Sequence, residues 1–148
     1  MDKSTGQLAA YVGATLIGVV GLALFLQPFH GDEVGFCRRI LGAFTTGKRY
    51  VQSSIDWEQF QVLGIDVGSA YRELPNEEER AKFREAFLVK CGEGFRKEHG
   101  RLNDFVNWRL QQPGPVAVVA VDYPLKQKTL LFHVSTVGDK HLEAMQWQ

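Results

Sequence analysis

The sequence predicts one N-terminal transmembrane helix followed by an α+β domain, with helices packed on an antiparallel sheet of about four strands. Three observations carry this expectation. Residues 8–26 read LAAYVGATLIGVVGLALFL, nineteen in a row without a charge. Within 34–46 and again from Phe83 to Phe95 the apolar residues recur every three or four positions, the period of a helix with one buried face. After Gly100 they alternate, as in strands with one covered face.

At about 1.5 Å per residue the uncharged run spans roughly 28 Å, close to the ~30 Å hydrocarbon core of a bilayer. Every face of it is apolar, which a helix on a soluble domain rarely needs. A cleaved signal peptide is the alternative. Against it stand a single offset lysine (Lys3 beside Asp2), a long apolar stretch, and an end at Phe25, Leu26, Gln27 and Pro28 without a small-x-small site. The small basic excess is N-terminal, because Asp32 and Glu33 follow the run and no Lys or Arg comes before Arg38. That places the N-terminus in the cytoplasm. The expected organisation is an anchor at 1–30 and an exterior domain at 31–148, periplasmic if the membrane is a cell inner membrane.

Within the run, Ala10, Ala14 and Gly18 are spaced by four, and Gly21 extends their stripe. Small residues at this spacing let a second helix approach closely. Gly and Ala are also common in membrane helices, so packing against a partner helix is one of two readings.

The chain carries 17 basic and 17 acidic residues. This balance argues against nucleic acid as a partner. About 120 residues remain for the exterior part, enough for one core of ordinary size.

The elements follow in order. Cys37, Ile40, Leu41 and Phe44 have helical spacing within 34–46, and Gly47 suits the stop. Asp56 caps an expected short helix from Trp57 to about Leu63, ended by Gly64. Pro75 opens the strongest helix, and Glu77, Glu78 and Glu79 suit its positive end. Phe83, Phe87, Cys91 and Phe95 form its core stripe. Gly92 and Gly94 weaken its last turns by about 1 kcal/mol each relative to Ala, in exchange for a bend or a close approach. Strands are expected at 106–110, 116–123, 130–137 and 141–147. Short turns join them, so they should pair as a meander.

This order resembles the nuclear transport factor two-like, or cystatin-like, superfamily. The likeness rests on Ile55-Asp56-Trp57, on Ala70-Tyr71-Arg72-Glu73-Leu74-Pro75 before the long helix, and on the closing hairpin from Thr129 to Val137 and His141 to Trp147. It covers roughly residues 34–148. The resemblance implies N-terminal helices wrapped by a curved sheet. It also implies a wide choice of function: small-molecule enzymes, lipid carriers and assembly domains share the shape. The acid–base pair that enzyme members place deep in the cone has no recognisable counterpart here.

Cys37 and Cys91 sit on the core stripes of two helices. If those helices pack together, a disulfide would close a loop of about 55 residues, worth about 4 kcal/mol in the chain-entropy model. Two buried free thiols are the alternative.

Catalytic patterns are weak. The histidines are His30, His99, His133 and His141, and no third ligand completes a metal spacing. Asp66, Asp104 and Asp122 are general-base candidates near Tyr71 or Tyr123, though each equally suits a cap, turn or edge. The sequence contains no GxSxG, HExxH or CxxC. No enzyme, metal or cofactor is expected. Phe83, Phe87, Phe95, Trp108 and Phe132 line a candidate apolar pocket, or fill an ordinary core.

The reading that fits most features is a non-catalytic accessory or scaffold subunit of a larger membrane protein complex. Its partners would be integral membrane subunits and membrane lipid. The alternative is a membrane-tethered periplasmic module that binds a lipid or other apolar ligand.

Overall fold

The first helix among the described residues, α1 (Glu33–Thr46), buries Phe36, Cys37, Ile40, Leu41 and Phe44, the stripe its spacing predicts. The computed structural model describes residues 32–98 and 100–148, and Glu33–Gln148 form one unit. α1 stops at Gly47, whose φ of +67° only glycine adopts freely. The Lys48 amide then donates to the Ala43 carbonyl at 3.0 Å, closing a Schellman-type end.

A 3-10 turn (Gln52–Ser54) leads into extended chain. The expected helix from Trp57 to Leu63 does not form. Instead the Asp56 amide donates to Leu142 at 2.9 Å and the Leu63 amide to Met145 at 2.8 Å. The segment thus lies alongside the last strand. Strands β1 (Gln61–Val62) and β2 (Ile65–Asp66) form a hairpin around Leu63 and Gly64. Both turn residues have positive φ, +50° and +86°, as a two-residue primed turn requires. Trp57 and Phe60 mimic a helical spacing, yet both are buried through turns.

A short helix absent from the sequence-based expectation, α2 (Val67–Arg72), follows. Asp66 caps it by accepting the Ser69 amide at 3.0 Å. The long helix α3 spans Glu77–Lys97. Its cap is Asn76, which accepts the Glu79 amide at 2.9 Å. Pro75 therefore stands one residue outside the cap rather than opening the helix. Arg96 and Lys97 in the last turn complement the dipole.

Strands β3 (Val106–Gln112), β4 (Val116–Tyr123), β5 (Lys128–Ser135) and β6 (His141–Trp147) make the antiparallel meander their alternation predicts. β4 and β5 face the helices with Val119, Val121, Leu130, Phe132 and Val134, all buried. β1 then adds to the outer side of β6 in parallel, Gln61 opposite Ala144 and Val62 opposite Met145. The strand order is β2-β1-β6-β5-β4-β3.

The expected fold class needs two corrections. The sheet is mixed and has six strands, not about four antiparallel ones. Two-residue strands are too short to show alternation in sequence, and β1 is recruited by a strand some 80 positions away. Second, among the described residues no helix is long and apolar enough to cross a membrane. α3 has the length, but charged side chains crowd it. The run at 8–26, with Ala10, Ala14, Gly18 and Gly21, lies outside the described residues.

Packing between α1 and α3 is set by two glycines. A Cβ placed on Gly92 would fall 2.7 Å from both the Cα and the N of Gly47, so the helix backbone rests on the end of α1. This is the close approach anticipated for one of the α3 glycines. At Gly94 a Cβ would meet nothing within 4 Å.

Candidate functional site

The five aromatic residues expected to line one pocket do not surround one space. Phe83 and Phe87 pack edge-on against Trp57, with ring centroids 6.4 and 5.5 Å away. Phe87 also meets Phe44 and Phe60 at 6.2 and 5.7 Å. These rings fill one another's space and form core. Trp108 of β3 stacks on Phe132 at 5.8 Å, and its indole N–H donates to the Phe105 carbonyl at 3.2 Å. Phe95 borders a cavity.

That cavity is an open cleft of about 410 Å³, lined by Leu63, Cys91, Gly94, Phe95, Glu98, Tyr123, Lys126 and Trp147. Five parts of the chain build it, among them the 3-10 turn Pro124–Lys126, which supplies Lys126. The last turns of α3 supply Cys91, Gly94, Phe95 and Glu98. Tyr123 ends β4, Trp147 ends β6, and Leu63 comes from the β1–β2 turn. The sheet side is a row of rings. Phe105 stacks on Tyr123 at 4.4 Å and 9°, and Tyr123 lies against Trp147 at 6.1 Å and 19°. Phe95 meets Phe105 at 6.3 Å, near edge-on. Beyond Trp147, the Lys128 ammonium sits 5.9 Å from the indole centroid, a cation–π distance.

The two charged groups of the cleft are paired. Lys126 Nζ donates to Glu98 Oε2 at 2.6 Å. The Glu98 carboxylate holds the Lys126 ammonium above its ordinary range. Leu63, in the lining, is 45 % exposed, and Ile65 and Leu125, each within two residues in sequence of a lining position, are 65 and 69 % exposed. The cleft is thus mostly apolar, and its two charged groups neutralise each other. A cavity of this size and lining is at the lower end of what small-molecule sites use, about 300–1,000 Å³.

Cys91 lines the cleft as a free thiol, half-buried, and Cys37 is a free thiol buried in α1. Burial pushes the Cys91 thiol up to about 11. Burial, with Glu33 adding to it, pushes Cys37 up further. Both are protonated at neutral pH, and a protonated thiol is a poor nucleophile.

The general-base candidates have structural duties. Asp66 caps α2. Asp104 accepts the Arg101 amide at 2.8 Å in a capping box. Asp122 accepts from Asn107 at 3.2 Å, Thr129 at 2.9 Å and both Arg109 Nη atoms at 3.1 Å. Those bonds, Asn107 and Thr129 foremost and Arg109 with its charge, hold its carboxyl below the usual range. A general base working near neutral pH needs the opposite shift. The network instead clamps β3 to β4 and β5 across the β-bulge between Val106 and Arg109. Tyr71 accepts from Arg84 Nη1 at 2.6 Å, and Arg84 also pairs with Glu77 at 2.6 Å.

His133 and His141 lie on β5 and β6. His133 Nε2 is buried with no hydrogen-bond partner. Among the described residues no three His, Cys, Asp or Glu side chains are grouped to hold a metal ion. His30 and His99 lie outside the described residues.

Sequence reasoning reached Phe95 as a pocket residue and singled out Cys91 only as a disulfide candidate; it missed Leu63, Glu98, Tyr123, Lys126 and Trp147 as cleft residues. Gly94, flagged as a weak point in its helix, was the available signal. No protein-family model matches the chain, and no curated protein or solved structure does.

Proposed function

We propose that the chain is a non-catalytic accessory or scaffold subunit of a larger membrane protein complex. It is tethered through the uncharged run at 8–26, with the unit from Glu33 to Gln148 on the periplasmic side of an inner membrane. One observation carries the reading: Leu63, a large apolar side chain left 45 % exposed, lines the cleft, and the exposed Ile65 and Leu125 lie within two residues in sequence of cleft positions. Large apolar side chains left exposed beside a cleft favour a contact surface. Membership in the cystatin-like superfamily belongs to the same proposal. It is supported by the order of helices first and meander last, and by the closing β5–β6 hairpin.

The test is purification of the full chain from its native membranes in mild detergent, followed by native mass spectrometry. A stoichiometric protein partner that is lost on Leu125→Asp supports the reading. A chain that comes down alone overturns it.

A second reading, a tethered module for an apolar ligand, is favoured by the volume and ring lining of the cleft itself. The same spectrum tests it through a bound small molecule.

A further inference from the structure

Tyr123 lines the cleft and is only 4 % exposed, with Phe105 and Trp147 stacked on its ring. A buried tyrosine O–H usually finds an acceptor or a donor of its own. Tyr71, buried to a similar degree, has its hydroxyl bonded by Arg84. Among the described residues the Tyr123 hydroxyl has no such partner. Nor is it enclosed, since the enclosed side-chain atoms without a partner are Arg80 Nε and His133 Nε2. The hydroxyl therefore reaches the open space that the residue borders, which is the cleft. It adds to the effect of Glu98 in holding the Lys126 ammonium above its ordinary range, which sets it toward the Lys126 side.

Trp147 repeats the pattern. Trp57 and Trp108 donate their indole N–H groups to the Gln52 and Phe105 carbonyls at 2.8 and 3.2 Å, whereas the Trp147 N–H has no acceptor among the described residues. The cleft thus has donors to spare. An indole N–H and an ammonium can only donate, and the one carboxylate, Glu98, is engaged by Lys126. A ligand group that only accepts complements this set. A carboxylate would set a second anion beside Glu98, so the complement is an uncharged carbonyl.

We infer that the cleft binds an apolar ester or ketone, and that the Tyr123 hydroxyl donates to its carbonyl oxygen. This rests on the reading of the protein as a tethered apolar-ligand module and names the polar group its ligand carries.

Cys91 provides a readout at the site, and Cys37, fully buried in α1, reports on unfolding. The full chain, in nanodiscs of a dialkyl ether phosphatidylcholine that has no carbonyl, is treated with iodoacetamide at mildly alkaline pH. Labelling of each cysteine is followed by mass spectrometry. The probes are 2-undecanone and dodecane, which have the same number of non-hydrogen atoms, each dosed as a mole fraction of the lipid. The expected result is saturable protection of Cys91, half-complete at a mole fraction about fivefold lower for the ketone, the worth of one net hydrogen bond. Tyr123→Phe, which removes only the hydroxyl, should bring the two probes together while Cys37 stays unlabelled. Equal protection by both probes in the wild type would overturn the carbonyl inference and leave the apolar-ligand reading standing. Protection by neither would overturn both. A ketone advantage that survives in a folded Tyr123→Phe protein would overturn the assignment to Tyr123. If that variant unfolds, the infrared band of carbonyl-labelled 2-undecanone decides with wild type: a shift to lower wavenumber on binding is expected, and an unshifted band overturns the inference. Diacyl ester nanodiscs then name the source. Cys91 protected there before any probe is added assigns the carbonyl to the bilayer's own acyl esters, and Cys91 as reactive as in ether nanodiscs assigns it to a free ester or ketone.

Discussion

The Gly92 Cα has no room for a side chain because the Gly47 backbone occupies it: a Cβ there would sit 2.7 Å from the Gly47 Cα and N. The contact is backbone on backbone, so no rotamer change relieves it. Gly92→Ala should destabilise the domain by about 1–3 kcal/mol despite the better helix propensity of Ala, since overpacking forces the helices apart. Gly94→Ala, two residues on, should stabilise by about 0.5–1 kcal/mol. Urea unfolding followed by circular dichroism checks both. Equal effects at the two sites would show that the helix contact is not what selects glycine at 92.

Asn76 holds the start of α3 through its bond to the Glu79 amide. Asn76→Ala should cost about 1 kcal/mol, and Asn76→Asp almost nothing. The same unfolding curves serve. A Pro75→Ala change should be milder, because Pro75 stands outside the cap.

Asp122 should shape the acid limb of stability. Its folded-state carboxyl is held below the ordinary value by Asn107, Thr129 and Arg109. A depressed folded value means the contribution is present above the unfolded pKa and is lost as pH falls through the folded one. Wild type should therefore lose stability from about pH 4 downward. Asp122→Asn should start lower at neutral pH and show a flatter acid limb. Melting temperatures measured across that range decide it: parallel profiles for the two proteins would rule out the role.

The two thiols should respond differently to alkali. Cys91 borders the open cleft and titrates near 11, so its alkylation rate should rise about tenfold per pH unit between neutral pH and about 10, tracking the thiolate fraction. Cys37, at 0 % exposure, should stay unlabelled until the domain unfolds. Mass spectrometry after timed iodoacetamide treatment separates them. A Cys37 that reacts as fast as Cys91 in the folded protein would mean that α1 opens locally.

Long periodic elements were legible in the sequence. α1, α3 and β3–β6 each have enough residues for period 3.6 or period 2 to stand out, and Gly47 marks its stop by a positive φ that few other residues tolerate. The segment from Ile55 to Arg72 was not legible. There Trp57 and Phe60 have helical spacing, but their backbone is claimed by β6, a partner no local pattern reveals. α2 is only one and a half turns long, so Asp66 was its sole signal. The cleft was misread for a related reason. Counting aromatics in helix and strand stripes finds residues that face inward, and most of these, Phe87 and Phe132 among them, fill one another's space. The cleft depends on where elements end: Tyr123, Trp147 and Leu63 are terminal residues that only the assembled sheet brings to the last turns of α3.

The parallel pairing of β1 with β6 has a consequence for biosynthesis. Gln61 and Val62 cannot find their register until Ala144 and Met145 have left the ribosome, because no earlier strand offers that edge. Until then Ile55, Trp57 and Phe60 lack the backbone partner that turns them inward. The emerging chain therefore carries an apolar stretch near its middle whose shelter comes only with the seven residues of β6, and a chaperone acting on this protein would have its longest occupancy there.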